Sequence, residues 1–406
     1  RDRSPSRGLG DVYKRQLITF LLENAAYAGF ALTWAAHFCT ARSYKRTARM
    51  VRQQETETQT SDSRPKEAIS VIIATHNQAD ALRRNLPRIL EQEYERFEVI
   101  VVNDASTDDT EDVLKTLELK YANLHHTFTP SGARHISHKR LSLTIGIKAA
   151  QYEWLLLTEP DSRPCSPHWL STMAGHFHDG VQIVLGYANY MPDKRLLSRK
   201  AIFFNLFHQM QYLPWATRHK AYRCNPANIA YRKSLFMAHK GFADDINLIG
   251  GVTELLVNRH SRIGNTAVSL HPDSKVECEN MTSGTQWRLK RTFYMETRRH
   301  FKKTWRYRLT FNLKQAVVPL FYCATALSLG WSVWRQQWAA TAIISLLFVL
   351  LCVCKTVWFN RSARALGERP YRLSFLWYEM RLLGWHACSW MDYRTAPRTR
   401  FYRKAF

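Results

Sequence analysis

The sequence predicts an α/β domain built on a mostly parallel sheet and joined to membrane-spanning helices. Three observations carry that prediction. From Ala68 onward, short β-branched runs alternate with helical ones, "AISVIIATHN", "QADALRRNLPRILEQ", "FEVIVVND" and "STDDTEDVLKTL", and strand–helix–strand order implies βαβ units with parallel strands. The apolar run in "LLLTEPDSRP", Leu155 to Pro164, stops at two carboxylates, Glu159 and Asp161. Near the C-terminus, Ala316–Trp334 and Ala339–Phe359 are predominantly apolar and separated by only "RQQW", and each is long enough to cross a bilayer.

Composition narrows the partners. The chain has 406 residues, a formal charge of +25, 46% hydrophobic and 13% aromatic residues. That hydrophobic content excludes a disordered basic chain, and the charge points to anionic partners: phosphorylated substrates, an anionic membrane face or nucleic acid. The basic clusters flank the apolar segments and form no RNA- or DNA-binding motif, so no nucleic acid is expected. Eight scattered cysteines, with Cys352 and Cys354 forming only a C-x-C, read as buried reduced thiols facing a reducing compartment.

Taken in order, "DVYKRQ" (Asp11 to Gln16) looks like the translated end of a sequencing adaptor, and residues 1–16 are set aside from fold reasoning as an assembly scar. Residues 17–39 can span a bilayer although they carry Glu23 and Asn24. Residues 40–67 read as a linker, since "RQQETETQTSDSRPKE" is polar and lacks apolar periodicity. Residues 68–310 form the α/β domain, 316–334 and 339–359 the second and third spans, and 360–406 a basic tail. In that tail "YRLSFLWYEMRLLGWHACSWMDYR" mixes apolar and basic residues and suits an amphipathic helix lying in the headgroup region, with a span as the alternative. Lys and Arg cluster after the first span, before the second and after the third, so the positive-inside rule puts residues 40–315 and the tail on the cytoplasmic side of a bacterial inner membrane.

Within the α/β domain, ligands belong at the carboxyl ends of the strands. Asn77, Asp104 and the pair Glu159/Asp161 fall at such ends. Ser106 or Thr107 reads as the cap of the following helix, and Asp108 and Asp109 as charges on its N-terminal dipole.

These blocks resemble the family-2 glycosyltransferases, whose nucleotide-binding domain has the GT-A fold. The likeness is carried by "SVIIATHNQADALRRNLPRILEQEYERFEVIVVNDASTDDT", "HKRLSLTIGIKAAQYEWLLLTEPDSRPCSPHWL", "NIAYRKSLF", "GGVTELLVNRHSRIGNTAV" and "ETRRHF", in that order over roughly residues 68–310. The resemblance implies a nucleotide-sugar donor, a lipid-linked or glycan acceptor, and Mg²⁺ or Mn²⁺ at "TEPD", where the family carries Asp-x-Asp. Asp161 would be the direct metal ligand and Glu159 its partner. Asp104 would contact the nucleotide, with Thr75 and Asn77 lining the same pocket. Lys139 or Arg140 would pair with the diphosphate. Asn228 and Tyr231 match a block near the acceptor side, Arg299 would bind diphosphate, and His300 would stand at the acceptor entrance. In "GGVTELL" only Glu254 survives of the family's usual acidic cluster, making it the candidate general base or a helix-start acid. Glu159 for Asp, "RCNPAN" for a glycine-rich lead and Glu296 for Gln are further departures. They leave a non-catalytic nucleotide-sugar-binding or polysaccharide-assembly scaffold as the competing reading. Membrane lipids are expected neighbours, and nothing in the sequence determines an oligomeric state.

Overall fold

A computed structural model describes residues 5–60, 67–130, 137–193, 195–281, 283–302 and 305–402. The chain divides into two compact units: residues 1–45, 303–361 and 371–383 form one, and residues 46–302, 362–370 and 384–406 the other.

Helix α1 (Pro5–Thr60) covers the expected first span and runs on through most of the expected linker. The linker reading is corrected for residues 40–60, while residues 61–66 lie outside the described residues. Ala48 and Val51 are buried on this end of the helix, and polar side chains hold it further. Arg46 donates to Thr217 Oγ1 at 2.6 Å, and Gln54 bridges Val268 O and Leu270 N–H, each at 2.7 Å. Val51 is fully buried.

The larger unit then winds as β1 (Ile69–Thr75), α2 (Ala79–Leu90), β2 (Phe97–Asn103), α3 (Thr110–Lys120), β3 (Leu124–Phe128), α4 (His138–Ala149), β4 (Trp154–Leu157) and the short β5 (Ser162–Pro164). Helix α5 (Trp169–Ala174), β6 (Ile183–Gly186), β7 (Ala188–Tyr190), α6 (Leu196–Ala216), β8 (Ile229–Arg232), α7 (Lys233–Ala238), α8 (Val252–His260), β9 (Thr266–Ser269), β10 (Val276–Cys278) and α9 (Gly284–His300) follow. Seven strands form one sheet in the order β3-β2-β1-β4-β8-β6-β9. Strand β8 runs antiparallel to both neighbours, and the other pairings are parallel. A second sheet, β5-β10-β7, stands beside it.

Strands β1, β2 and β4 are almost wholly buried, as continuous Val/Ile/Leu runs must be when both faces of a parallel sheet are covered. On one face, Leu82, Leu86, Ile89 and Leu90 of α2 share a core with Val71, Ile73, Val99 and Val101, their i, i+4, i+7, i+8 spacing giving the helix one apolar stripe. Trp154 stacks on Phe177 with ring centroids 3.9 Å apart.

The smaller unit contains α10 (Trp305–Trp334) and most of α11 (Trp338–Ala365). Among the described residues two helical segments are long and apolar enough to cross a membrane, Ala316–Trp334 and Trp338–Ala365; α1 is not one of them. Leu327, Leu346, Val349 and Val353 are exposed. Inside this unit, Lys355 donates to Glu379 and meets the His37 ring, and Tyr322 Oη lies 3.2 Å from Glu379. All three ionisable groups are buried, and a charge in apolar surroundings persists only when paired. The expected interfacial segment forms α12 (Ser374–Thr395), but its residues from Gly384 onward belong with the larger unit. All eight cysteines are free thiols.

Candidate active site

Strand order reverses between β1 and β4, and in open α/β sheets the crevice at such a switch point is where ligands bind. Thr75, Asp104 and the 159–161 turn all lie at the carboxyl ends of the adjacent strands β2, β1 and β4. The Asp104 N–H donates to Thr75 O at 2.8 Å. Thr75 Oγ1 is buried without a hydrogen-bond partner, and an orphaned buried hydroxyl is costly unless a ligand completes it. Asn77 takes a left-handed φ of 51°. Its N–H donates to Ser106 Oγ at 2.9 Å and its Oδ1 accepts from Thr107 N–H at 2.7 Å, so its side chain shapes the loop. Ser106 and Thr107 are therefore not the cap of α3, which starts after Asp109. Asp108 serves both helix starts as expected, accepting from Ala79 N–H and Thr110 N–H at 3.1 Å each.

Asp104 is already engaged on one oxygen. Its Oδ1 accepts from Thr129 Oγ1 and meets His138 Nδ1, both at 2.7 Å. Among the described residues Oδ2 has no partner, which leaves it for a ligand.

The start of α4 explains how "HKR" divides its work. Consecutive helical residues point about 100° apart, so three neighbours reach three different places. His138 goes to Asp104. Lys139 Nζ sits 2.6 Å from both oxygens of Glu159. Arg140, with 0% of its surface exposed, donates to Leu248 O at 2.9 Å and Gly250 O at 2.7 Å. The expected diphosphate role of Arg140 is corrected: it holds the loop that leads into α8. Burial pulls its guanidinium down to about 10, against the field of Asp245 and Glu254.

Glu159 and Asp161 follow β4, in a turn closed by Ser162 N–H on Glu159 O at 3.0 Å. The second sheet brings Cys278 and Tyr190 alongside, since Cys278 pairs with both Ser162 and Tyr190. Lys290 of α9 lies 5.5 Å from the Tyr190 ring centroid. Burial pushes the Asp161 carboxyl up, with Lys290 opposing and Glu159 reinforcing. The Cys278 thiol is pushed up to about 12, by burial first and by Asp161 second.

Glu254 stands in the first turn of α8. Burial raises its carboxyl, while Arg223 and Lys139 pull it down and Glu159 pushes it up. The glycines before it have a steric cause. Gly251 has φ 71°, and a Cβ there would lie 2.4 Å from Thr297 Cγ2 of α9. A left-handed residue with a Cβ costs roughly 1–2 kcal/mol before any overlap. Gly251→Ala is therefore expected to destabilise the larger unit by at least about that amount, measured by chemical denaturation. Gly250→Ala, whose Cβ would meet Phe293 Cβ at an ordinary 3.4 Å, should cost less.

The "ETRRHF" block is bound to the C-terminal segment. Glu296 Oε1 accepts from Tyr402 Oη at 2.7 Å and lies 3.2 Å from His300 Nε2. Arg299 donates to Tyr393 Oη at 2.6 Å, and Ile249 N–H donates to Phe401 O at 3.1 Å. Arg299 and His300 are thus held by this segment, and among the described residues they make no hydrogen bond or ion pair with Glu159, Asp161 or Glu254. The sequence offered no sign of that, because nothing local links Tyr393 or Tyr402 to residues about a hundred positions earlier.

Asn228 is a further correction. Its Nδ2 donates to Tyr187 O at 2.9 Å and Ser274 O at 2.7 Å, and its Oδ1 accepts from Trp169 Nε1 at 3.1 Å. The amide is fully used inside the protein and has nothing left for a cofactor. A Cβ on Gly186 would fall 2.3 Å from that amide, which explains the glycine at the end of β6. Tyr231 is likewise buried in the core.

Among the described residues, no group of three His, Cys, Asp or Glu side chains converges as a metal cage. Two carboxylates fit a hard cation all the same, because Mg²⁺-type ions are held by one or two carboxylates together with substrate phosphates. The backbone of the Asp161 turn is held by Glu279 N–H, which donates to Asp161 O at 2.7 Å.

Residues 70–239 match the sequence model of the family described as Glycosyl transferase family 2. Over 134 residues the chain is 25% identical to the UDP-Glc:alpha-D-GlcNAc-diphosphoundecaprenol beta-1,3-glucosyltransferase WfaP of Escherichia coli, covering 32% of this chain and 48% of that protein. Over 106 residues it is 27% identical to a poly-beta-1,6-N-acetyl-D-glucosamine synthase of Staphylococcus epidermidis, covering 25% of this chain and 24% of that protein. The matches thus span about half or less of these relatives' lengths. The solved mannosyltransferase PcManGT from Pyrobaculum calidifontis, in complex with GDP-Man and Mn²⁺, superposes with a TM-score of 0.51 at 17% identity, over 92% of this chain and 99% of that one. That likeness bears on fold alone. With its parallel sheet and switch-point crevice the chain has the GT-A fold, and its residues 70–239 are similar to glycosyl transferase family 2.

Proposed function

We propose that the protein is an inverting glycosyltransferase that moves a sugar from a nucleotide-sugar donor to a lipid-linked or polysaccharide acceptor at the cytoplasmic face of a membrane. The observation that carries this reading is the Lys139–Glu159 ion pair in the turn that also holds Asp161, at the carboxyl end of β4 beside the switch point. The relatives lend support: one is named for a diphosphoundecaprenol-linked acceptor and another for a polysaccharide product. The apolar segments of α10 and α11, with basic flanks, suit a membrane-bound enzyme.

In this reading Thr75 Oγ1 and Asp104 Oδ2 bind the nucleotide. Asp161 and Glu159 would hold a Mg²⁺ or Mn²⁺ ion. When bound, the ion supplies positive charge against that growing on the departing diphosphate. Lys139 exchanges its Glu159 contact for the diphosphate, and Arg299 adds its guanidinium once released from Tyr393. The acceptor oxygen attacks the anomeric carbon as the bond from that carbon to the diphosphate oxygen breaks. The hydroxyl proton passes to Glu254, and the nucleoside diphosphate leaves with the bonding pair.

The test is a set of nucleotide sugars with and without Mn²⁺, read by thermal stabilisation of the full-length protein. A ligand at 100 times its Kd adds about 2.7 kcal/mol to apparent stability, so the right donor should raise Tm only with metal. Stabilisation accompanied by acceptor-dependent release of nucleoside diphosphate supports the enzyme. Donor binding without turnover on any acceptor supports the scaffold.

A further inference from the structure

Arg223 stands where the family has a glycine-rich lead, and its surroundings are unusual for a guanidinium. It is half-buried, with its Cζ 3.8 Å from the Tyr294 ring centroid and 5.6 Å from that of Tyr212. Among the described residues it makes no hydrogen bond and no ion pair; the two rings are its close partners. The loop carrying it is pinned along α8. Ala221 N–H donates to Ser261 Oγ at 2.7 Å, Asn225 Nδ2 donates to Ala188 O at 2.9 Å, and Tyr294, the ring under Arg223, packs on Leu248 and on Leu255 of α8. Glu254, one residue beyond Thr253, feels the Arg223 charge yet lies outside ion-pair range.

A half-buried guanidinium whose N–H donors make no hydrogen bond among the described residues is open to an anionic ligand. Stacking on aromatic faces fixes the plane while leaving the fork of donors free, the arrangement suited to bidentate capture of an oxyanion. The donor's diphosphate already has Lys139 and the Glu159/Asp161 pair on the β4 side. Glu254 must face the acceptor hydroxyl, and Arg223 is its neighbour.

We propose that Arg223 binds a phosphate oxyanion of the acceptor, so that the preferred acceptor is a sugar phosphate or a lipid-diphosphate-linked sugar whose charged group lies about one sugar ring from the attacked hydroxyl. This rests on the glycosyltransferase reading and narrows its acceptor class. A neutral glycan end would leave the guanidinium unsatisfied.

The experiment uses the full-length protein in detergent with UDP and Mn²⁺ saturating the donor side. Glucose 1-phosphate, geranyl diphosphate, inorganic phosphate and the neutral methyl glucoside are titrated against wild type, Arg223→Lys and Arg223→Met. The UDP–Mn²⁺ shift serves as the fold check for each variant. Glucose 1-phosphate or geranyl diphosphate should stabilise wild type, and methyl glucoside should not. Arg223→Met should weaken oxyanion binding by tenfold or more, and Arg223→Lys by less. Response to the sugar phosphate alone identifies a soluble acceptor, response to the prenyl diphosphate a lipid one, and response to inorganic phosphate alone an unspecific anion site, which overturns the acceptor assignment. Equal oxyanion affinity in wild type and Arg223→Met, or no response of wild type to any oxyanion, also overturns it. So does an Arg223→Met variant that changes only the pH dependence of turnover, since that would limit Arg223 to tuning Glu254. Failure of the UDP–Mn²⁺ shift in wild type counts instead against the glycosyltransferase reading, and the oxyanion titrations remain decisive for Arg223.

Discussion

Glu254→Gln is expected to keep nucleotide-sugar binding and to lower turnover by about two to four orders of magnitude, the range a general base supplies. The amide keeps the shape and polarity of the side chain at the start of α8 but cannot take the acceptor proton. The pH profile gives an independent check. Burial raises the Glu254 carboxyl above the usual carboxylate range, with Arg223 opposing, and a base works only when ionised. Wild-type turnover should therefore rise with pH through that raised value and level off above it, whereas the variant should lack that limb. A helix-start acid without a catalytic role would leave turnover near wild type, and that outcome removes Glu254 from the mechanism.

Asp161→Asn should separate stability from function. The buried Asp161 carboxyl has its pKa raised, by desolvation first, so the folded state holds the proton more tightly than the unfolded chain. The sign follows from linkage. Below the unfolded value both states are protonated and the group costs nothing. As pH rises through the folded value, the ionised carboxylate increasingly disfavours the fold. Near neutral pH the neutral amide should match or exceed wild-type stability in the ligand-free protein. The same change removes the central oxygen ligand. Even outer-shell partners of a metal ligand are worth about 10–100-fold, so Mn²⁺-dependent UDP binding should fall by more than about 100-fold. Denaturation without ligand and calorimetry with UDP and Mn²⁺ read the two effects separately. Undiminished metal-dependent UDP binding in the variant would refute the assignment of Asp161.

Much of the fold is legible before any coordinates. The β-branched runs at 69–75 and 97–103 become β1 and β2, because a strand covered on both faces has to be apolar at nearly every position. Asp104 and the 159–161 turn fall at the strand ends where polar groups become affordable, and the apolar segments near the C-terminus form α10 and α11. The segment at 40–60 misled for the same reason that those succeeded. Its end, residues 52–60, has no apolar residue, and Gln54 fastens that end by side-chain hydrogen bonds.

Local pattern determined which residues could be strand, helix or strand end, because a period of two or 3.6 is written in neighbours along the chain. Only the tertiary structure decided their partners. It sent Lys139 to Glu159 and Arg140 to the carbonyls of Leu248 and Gly250. It put Tyr402 on Glu296 and left Arg223 stacked on two rings beside Glu254. These contacts join residues that are far apart in sequence, and a side chain's direction and burial depend on what the rest of the fold packs against it.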